Sequence, residues 1–188
     1  MLPLLMIIAG FAAGSIPWGV IVAKQRGVDI REKGSGNIGA TNVARVLGIR
    51  DGLLVLLLDA AKGALVTLAA ARFDGDPWVV VATGFAAILG HCFSPFLKGK
   101  GGKGVATALG VFVIVSPALA LVAVSVFLLV AGGTRIPALG SLGGVTSATI
   151  YAFVTSAPTS IELLALATSL LLVYTHRGNL ARLLYQID

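Results

Sequence analysis

Long apolar runs separated by short polar segments dominate the chain, and they predict a bundle of membrane-spanning helices. A helix needs about 20 apolar residues to cross the hydrocarbon core of a membrane. Six runs approach or exceed that length, and they cover residues 2–23, 52–71, 78–97, 105–130, 138–156 and 161–175. The segments between them are too short to form a soluble module. The pattern therefore predicts one all-α, polytopic transmembrane domain over residues 1–188.

The fourth run, residues 105–130, is too long for one upright helix. It would form about 39 Å of helix against a hydrocarbon core of about 30 Å. Ser116 and Pro117 lie near its middle, and proline kinks or breaks a helix. The run is therefore either one tilted, kinked helix or two short helices joined by a turn.

The positions of Lys and Arg favour the second alternative, because basic residues collect on the cytoplasmic side of a membrane protein. With the run split, the chain has seven spans, with twelve basic residues inside and one outside. With the run intact, the distribution is nine inside and four outside. We therefore predict seven transmembrane helices, several of them short, with the N-terminus outside and the C-terminus in the cytoplasm.

The composition agrees with a membrane protein. Hydrophobic residues make up 57% of the chain and charged residues 12%, whereas about a quarter of the residues in a soluble domain are charged. This excludes an ordinary water-soluble globule and a disordered chain. The net charge of +6 would suggest nucleic acid in a soluble protein, but here it is explained by membrane topology, and we expect no nucleic-acid partner.

The first polar loop carries a candidate phosphate site. Residues 34–42 read GSGNIGATN, and Arg45 follows. Glycines free backbone N–H groups to form a concave nest, while the polar side chains and the guanidinium add donors. The alternative is a flexible connector. A dinucleotide-binding fingerprint is excluded, because it requires a preceding hydrophobic strand within a βαβ unit.

The second candidate is the segment 98–107, which reads KGKGGKGVAT and opens the fourth run. It is not a Walker A loop, because Leu97 stands in place of the first glycine and Gly104 in place of Ser or Thr. Lysines and exposed amides before a helix nevertheless suit a phosphate. The alternative is that these lysines only set topology or contact lipid headgroups.

Two charged residues, Asp59 and Lys62, lie three positions apart inside the second run and so share a helix face. A charge at the bilayer centre costs about 2.5–3.5 kcal/mol on insertion scales, which makes such a pair a functional candidate. The alternative is that the two charges neutralise each other and brace the bundle.

His91 and His176 lie at predicted cytoplasmic helix ends. Neither has an acidic residue spaced for a local dyad or a metal site, and with one cysteine in the chain we predict no metal. His176 is the stronger candidate, because Arg177 and Asn179 cluster with it.

Together these features resemble the PlsY family, the bacterial membrane glycerol-3-phosphate acyltransferases that use acyl phosphate as donor. The resemblance is carried, in the family's order, by GSIP at 14–17, the 34–42 loop with Arg45, DAAKG at 59–63, GH at 90–91, the 100–107 loop, and HRGN at 176–179 with Arg182 and Leu183. One departure is Ala138, where a serine is common, and we assign no substrate contact to residues 134–141.

The resemblance implies transfer of a fatty acyl group from acyl phosphate to the 1-hydroxyl of sn-glycerol 3-phosphate, giving lysophosphatidate and phosphate. This is the first acylation of bacterial phospholipid synthesis, at the cytoplasmic face of the inner membrane and in contact with membrane lipid. It needs no cofactor. Because acyl phosphate is an activated mixed anhydride, no strong protein nucleophile is required.

The predicted site residues follow from these motifs. We predict as catalytic Ser35, Asn37, Arg45, Lys103, His176 and Asn179. We predict as substrate-binding Gly34, Gly36, Gly39, Thr41, Asn42, Asp59, Lys62, His91, Lys100, Gly101, Gly102, Gly104, Thr107 and Arg177.

In the mechanism that we expect, the 35–42 nest and Lys103 hold the donor headgroup, while Arg45, Lys103, His176 and Asn179 hold glycerol phosphate. Backbone and Asn donors stabilise the oxyanion. The general base is the donor's own phosphate, with His176 or His91 as the alternative. An alternative function is a transporter or channel for a phosphorylated solute, which would favour repeated halves that the chain lacks.

Overall fold

A computed structural model describes residues 1–185, and the regular secondary structure in that range is helical, without a strand. The all-α prediction is thereby confirmed, while residues 186–188 of the predicted domain lie outside the described residues. The helices are α1 (Leu2–Gly14), α2 (Trp18–Gln25), α3 (Ala40–Leu47), α4 (Ile49–Phe73), α5 (Pro77–Cys92), α6 (Val105–Val115), α7 (Pro117–Thr134), α8 (Pro137–Val154), α9 (Thr159–Thr175) and α10 (Arg177–Tyr185).

Five segments of the described chain are long and apolar enough to cross a membrane: Leu2–Gln25, Ile49–Phe73, Pro77–Leu97, Pro117–Thr134 and Pro137–Val154. The pair α9 and α10, bent by 56°, passes the same test as one unit, and α6 is a shorter apolar helix. The architecture is that of a polytopic membrane protein. The count of seven spans and the orientation remain predictions.

The fourth run is broken at the predicted place. α6 ends at Val115, Ser116 is extended, and α7 begins at Pro117. The start of α6 and Arg135, which follows α7, line the same cavity. The chain therefore leaves this side of the bundle along α6 and returns to it along α7, as the split model requires.

The first run is also broken, which the sequence analysis did not predict. α1 ends at Gly14 and α2 begins at Trp18, because Pro17 lacks the N–H that a continuous helix needs. In a membrane the carbonyls freed by such a break need internal partners. Ser94 Oγ donates to the Ser15 carbonyl at 2.6 Å, and Lys62 Nζ donates to the Ile16 carbonyl at 2.8 Å.

Glycines bring the helices around the site into close contact. A Cβ at Gly14 would overlap the Ala87 carbonyl of α5, and a Cβ at Gly110 of α6 would overlap the Ala60 carbonyl of α4. Small residues at such crossings let membrane helices pack backbone to backbone. α1, α4, α5 and α6 therefore form a rigid frame below the polar loops.

The split of the fourth run predicts on which side of the membrane Arg135 lies. In a Cys92→Ala background, we expect a cysteine at position 135 to react with a membrane-impermeant maleimide from the same side as a cysteine at position 24. A cysteine at position 72 should react from the opposite side. The measurement compares labelling in right-side-out and inside-out vesicles, and labelling of position 135 together with position 72 would contradict the hairpin.

Candidate active site

The polar loops enclose a cleft made of two adjoining cavities. The first has a volume of about 540 Å³ and the second about 440 Å³. Residues from three distant parts of the sequence line both and form their common wall: Ser35, Asn37, Lys103, Asn179 and Arg182. The fold thus brings the 34–42 loop, the 98–104 loop and α10 together.

The cleft carries a strong positive charge. The basic residues that line it are Arg31, Arg45, Lys100, Lys103, Arg135, Arg177 and Arg182. Asp59 is the only acidic residue that lines either cavity within residues 1–185, and it forms an ion pair with Lys62. Low-dielectric walls focus such a field, so the cleft favours anions.

Two helix N-termini add to this field. α3 follows Gly39 and α6 follows Gly104, and neither helix has a side chain that caps its first N–H groups. Their first residues line the first cavity. Free N–H groups and the positive ends of helix dipoles form a ready site for a phosphate.

Asn42 organises the first loop from inside. Its Oδ1 accepts from the Ser35 N–H at 2.8 Å, and its Nδ2 donates to the carbonyls of Lys33 and Asn37 at 3.0 and 2.9 Å. The side chain is nearly buried, at 2% exposure. Its amide is therefore occupied in shaping the nest, and the neighbouring backbone is what it presents to the cavity.

Asn37 has a different environment. Its Oδ1 accepts from the Gly39 N–H at 2.9 Å, which orients the amide at the rim of the nest. Within residues 1–185 its NH₂ group makes no hydrogen bond that meets the usual geometry, and the residue lines both cavities. It can donate to a substrate oxygen.

Lys103 connects the second loop to the C-terminal helices. Its Nζ donates to Asn179 Oδ1, and Thr175 Oγ1 donates to the Lys103 carbonyl at 3.1 Å. Burial, together with the charges of Arg182 and Arg45, lowers the pKa of the Lys103 ammonium below its ordinary value.

His176 is held at the junction of α9 and α10. Its Nδ1 lies 2.8 Å from the Leu172 carbonyl and must donate to it, because a carbonyl oxygen can only accept. In the neutral ring Nε2 is then the unprotonated nitrogen. The residue lines the first cavity, so this nitrogen can accept from a substrate hydroxyl.

Asp59, Lys62 and His91 form a buried cluster at the floor of the first cavity. Lys62 Nζ lies 2.9 Å from Asp59 Oδ1 and 2.9 Å from His91 Nδ1. An ammonium group only donates, so Nδ1 is the acceptor and the proton of the neutral ring is on Nε2. His91 then has no free lone pair with which to take a proton from a substrate.

Three residues that we predicted to bind substrate line neither cavity. They are Lys62, Gly102 and Thr107. Lys62 bonds to groups inside the bundle, Gly102 lies over the His91 ring, and the Thr107 carbonyl packs against Gly63 of α4. A motif shows that a residue is near the site, but the packing decides which way it faces.

Other residues line the cleft although the predicted site residues do not include them. Arg31, Arg182, Arg135 and Ser141 do so, and the last two belong to the segment 134–141. The placement of Arg135 on the cytoplasmic side in the seven-span prediction was the signal that could have identified this segment.

Part of the first cavity is apolar. Leu56 of α4, Phe127 of α7, and Ile136, Pro137 and Ala138 at the start of α8 line it. The cavity therefore has a basic end and an apolar wall. Such a cavity suits an amphiphile with an anionic headgroup.

Comparison with known proteins gives one consistent family. The family model described as glycerol-3-phosphate acyltransferase matches residues 4–186. The glycerol-3-phosphate acyltransferase of Myxococcus xanthus is 50% identical over 181 residues, which are 95% of this chain and 94% of that protein. The protein of the same name from Aquifex aeolicus is 44% identical over 182 residues, 96% of this chain and 95% of its own.

Solved structures show the same likeness. The crystal structure of PlsY (YgiH), an integral membrane glycerol 3-phosphate acyltransferase, in its glycerol 3-phosphate form matches with a TM-score of 0.94 at 43% identity, over 99% of this chain and 94% of that one. Its lysophosphatidic acid form matches with a TM-score of 0.93 at 42% identity, over 99% and 93%.

The hydrogen bonds of Asn42 predict a local defect when they are lost. Asn42→Ala removes the partner of two part-buried backbone groups, the Ser35 N–H and the Asn37 carbonyl, at up to about 1–3 kcal/mol each. Because cleavage of an open segment tracks its population, we expect trypsin to cut after Arg31 or Lys33 at least about tenfold faster. Asn179→Ala, which does not touch this loop, should leave the cleavage rate unchanged, and an unchanged rate in Asn42→Ala would contradict the assigned role.

Proposed function

Because the chain belongs to the glycerol-3-phosphate acyltransferase family, we propose that this membrane acyltransferase takes its acyl group from acyl phosphate. The acyl group passes to the 1-hydroxyl of sn-glycerol 3-phosphate, and the products are lysophosphatidate and phosphate. The observation that carries this proposal is the first cavity, which joins basic and amide side chains to an apolar wall. A transporter of a phosphorylated solute is no longer favoured.

The donor fits the first cavity along its length. Its phosphate lies in the 35–42 nest at the N-terminus of α3, and its acyl chain leaves past Leu56, Phe127 and Ile136, between the helices and in contact with lipid. This orientation places the acyl carbonyl near Asn37 and Lys103. Ser35 and Asn37 then donate to the oxyanion that develops on the carbonyl oxygen.

Glycerol 3-phosphate lies beside the donor. Arg45, Lys103, His176 and Asn179 all line the first cavity and are proposed to hold its phosphate and orient its hydroxyl. The second cavity, lined by Arg31, Lys100 and Arg177, is the aqueous entrance that draws the anion in. Gly34, Gly36, Gly39, Thr41, Gly101 and Gly104 complete the proposed binding backbone.

The reaction needs orientation more than a strong nucleophile. The hydroxyl oxygen attacks the acyl carbon, the bond from that carbon to the bridging phosphate oxygen breaks, and the leaving phosphate takes the hydroxyl proton. Lys103 and the helix N-termini stabilise the charge that this phosphate gains. His176 binds the hydroxyl through Nε2 and keeps it in line.

The orientation in the cell follows from charge. Both substrates are anions that do not cross a hydrocarbon core, and the basic cleft lies on the side that the Lys and Arg positions predict to be cytoplasmic. We therefore place the protein in the inner membrane with its cleft facing the cytoplasm.

The donor is tested directly with purified protein in detergent, where transport cannot occur. Glycerol 3-phosphate with acyl phosphate should give lysophosphatidate and an equal amount of phosphate, whereas an acyl thioester should give none. Lys103→Met should lower turnover by about a hundredfold or more, as loss of one group that stabilises charge does. Lys24→Met, an exposed lysine that lines neither cavity, is the matched control. Equal rates with the thioester would overturn the proposed donor.

The lowered pKa of Lys103 predicts an alkaline limb in the pH profile. The free enzyme loses the ammonium charge at a lower pH than an ordinary lysine would, so kcat/KM for glycerol 3-phosphate should fall as pH rises through that value. The substrate phosphate already carries both charges, because its second pKa is about 6. Lys103→Arg should shift this limb to higher pH, and a limb at the same pH in that variant would assign it to another group.

A further inference from the structure

The 98–104 loop rests on His91 through both its backbone and its ring. The Gly101 N–H donates to the Cys92 carbonyl at 3.0 Å, and the Gly102 N–H donates to the His91 carbonyl at 3.0 Å. A Cβ on Gly102 would overlap His91 Nε2, so the loop backbone lies directly over the imidazole. Lys103 is the next residue along the chain. The position of the ring therefore sets the position from which Lys103 enters the cleft.

The ring is itself held from below. Lys62 Nζ is surrounded by three acceptors, the Ile16 carbonyl, Asp59 Oδ1 and His91 Nδ1, at 2.8, 2.9 and 2.9 Å. The ammonium group donates to the Ile16 carbonyl and to His91 Nδ1, and its contact with Asp59 is an ion pair. The three side chains are almost fully buried, with exposures of 1% for Asp59, 6% for Lys62 and 4% for His91. Lys62 thus fixes the imidazole to α4 and to the break between α1 and α2.

We propose that Lys62 and His91 are positioning residues for Lys103, acting through the contact of the His91 ring and carbonyl with Gly102. Neither residue then acts on the substrate directly. Lys62 lines neither cavity. In His91, Nδ1 accepts a hydrogen bond from Lys62 and Nε2 carries the proton of the neutral ring. The same cluster explains why this loop needs glycine at 102, where any side chain would meet a ring that cannot move aside.

The inference rests on the proposed role of Lys103, which Lys103→Met tests by itself. If that variant keeps full activity, the proposed role of Lys103 fails, whatever Lys62 does. If it loses activity, a double-mutant cycle then tests the positioning.

The cycle combines Lys62→Met with Lys103→Met. A misplacement of about 1 Å can lower the rate about a hundredfold, so Lys62→Met alone should reduce kcat/KM by about tenfold to a hundredfold. If Lys62 acts through Lys103, the double variant should be no worse than Lys103→Met, within about twofold. Losses that multiply would overturn the inference. Lys62→Arg, which keeps the charge and the donors, should recover part of the activity, and Lys24→Met is the matched control.

A second pair of variants does not depend on the folding of Lys62→Met. Gly102→Ala should lower kcat/KM and raise KM for glycerol 3-phosphate, because the atoms nearest to a Cβ at this position are those of the His91 ring. Adding His91→Ala removes that ring, so the double variant should be no less active than the poorer of the two single variants, within about twofold. Losses that multiply would show that the loop is positioned by something else.

Discussion

The bundle depends on how one proline is accommodated in the membrane. Pro17 interrupts the first span, and the carbonyls of Ser15 and Ile16 lose their helical partners where no water can replace them. Ser94 and Lys62 supply the missing donors. A buried lysine is expensive by itself, but here it donates to the Ile16 carbonyl and His91 Nδ1, and its charge faces Asp59. The break in the first span and the buried ion pair thus stabilise each other.

The cleft above this cluster has a charged end and an apolar wall a short distance apart. Basic side chains and two uncapped helix N-termini line one end, while Leu56, Phe127 and Ile136 line the wall towards the membrane. An amphiphile enters such a site in only one orientation, because its headgroup would be stranded in hydrocarbon in any other. The fold therefore suits the proposed donor, which it would orient before any catalytic group acts on it.

The sequence predicts the helices well because the length of an apolar run is set by the thickness of the membrane. It predicts the break at Pro117, since that run exceeds one span, but not the break at Pro17, since a run of ordinary length gives no such signal. It also identifies the loops that meet in the cleft. It does not show that Thr107 faces α4 whereas Arg182 lines the cleft, because that depends on helix rotation and packing.

The two histidines show that the hydrogen-bond partner of an imidazole decides its tautomer and therefore its role. Both are buried at a helix end, at 4% and 2% exposure. The Lys62 ammonium takes the lone pair of His91 Nδ1, whereas the Leu172 carbonyl takes the proton of His176 Nδ1. The partner of His91 is a hydrogen-bond donor and the partner of His176 is an acceptor, so the two rings have opposite tautomers. His91 is thereby fixed as part of the frame, and His176 keeps a lone pair on Nε2, the nitrogen that we propose to bind the substrate hydroxyl.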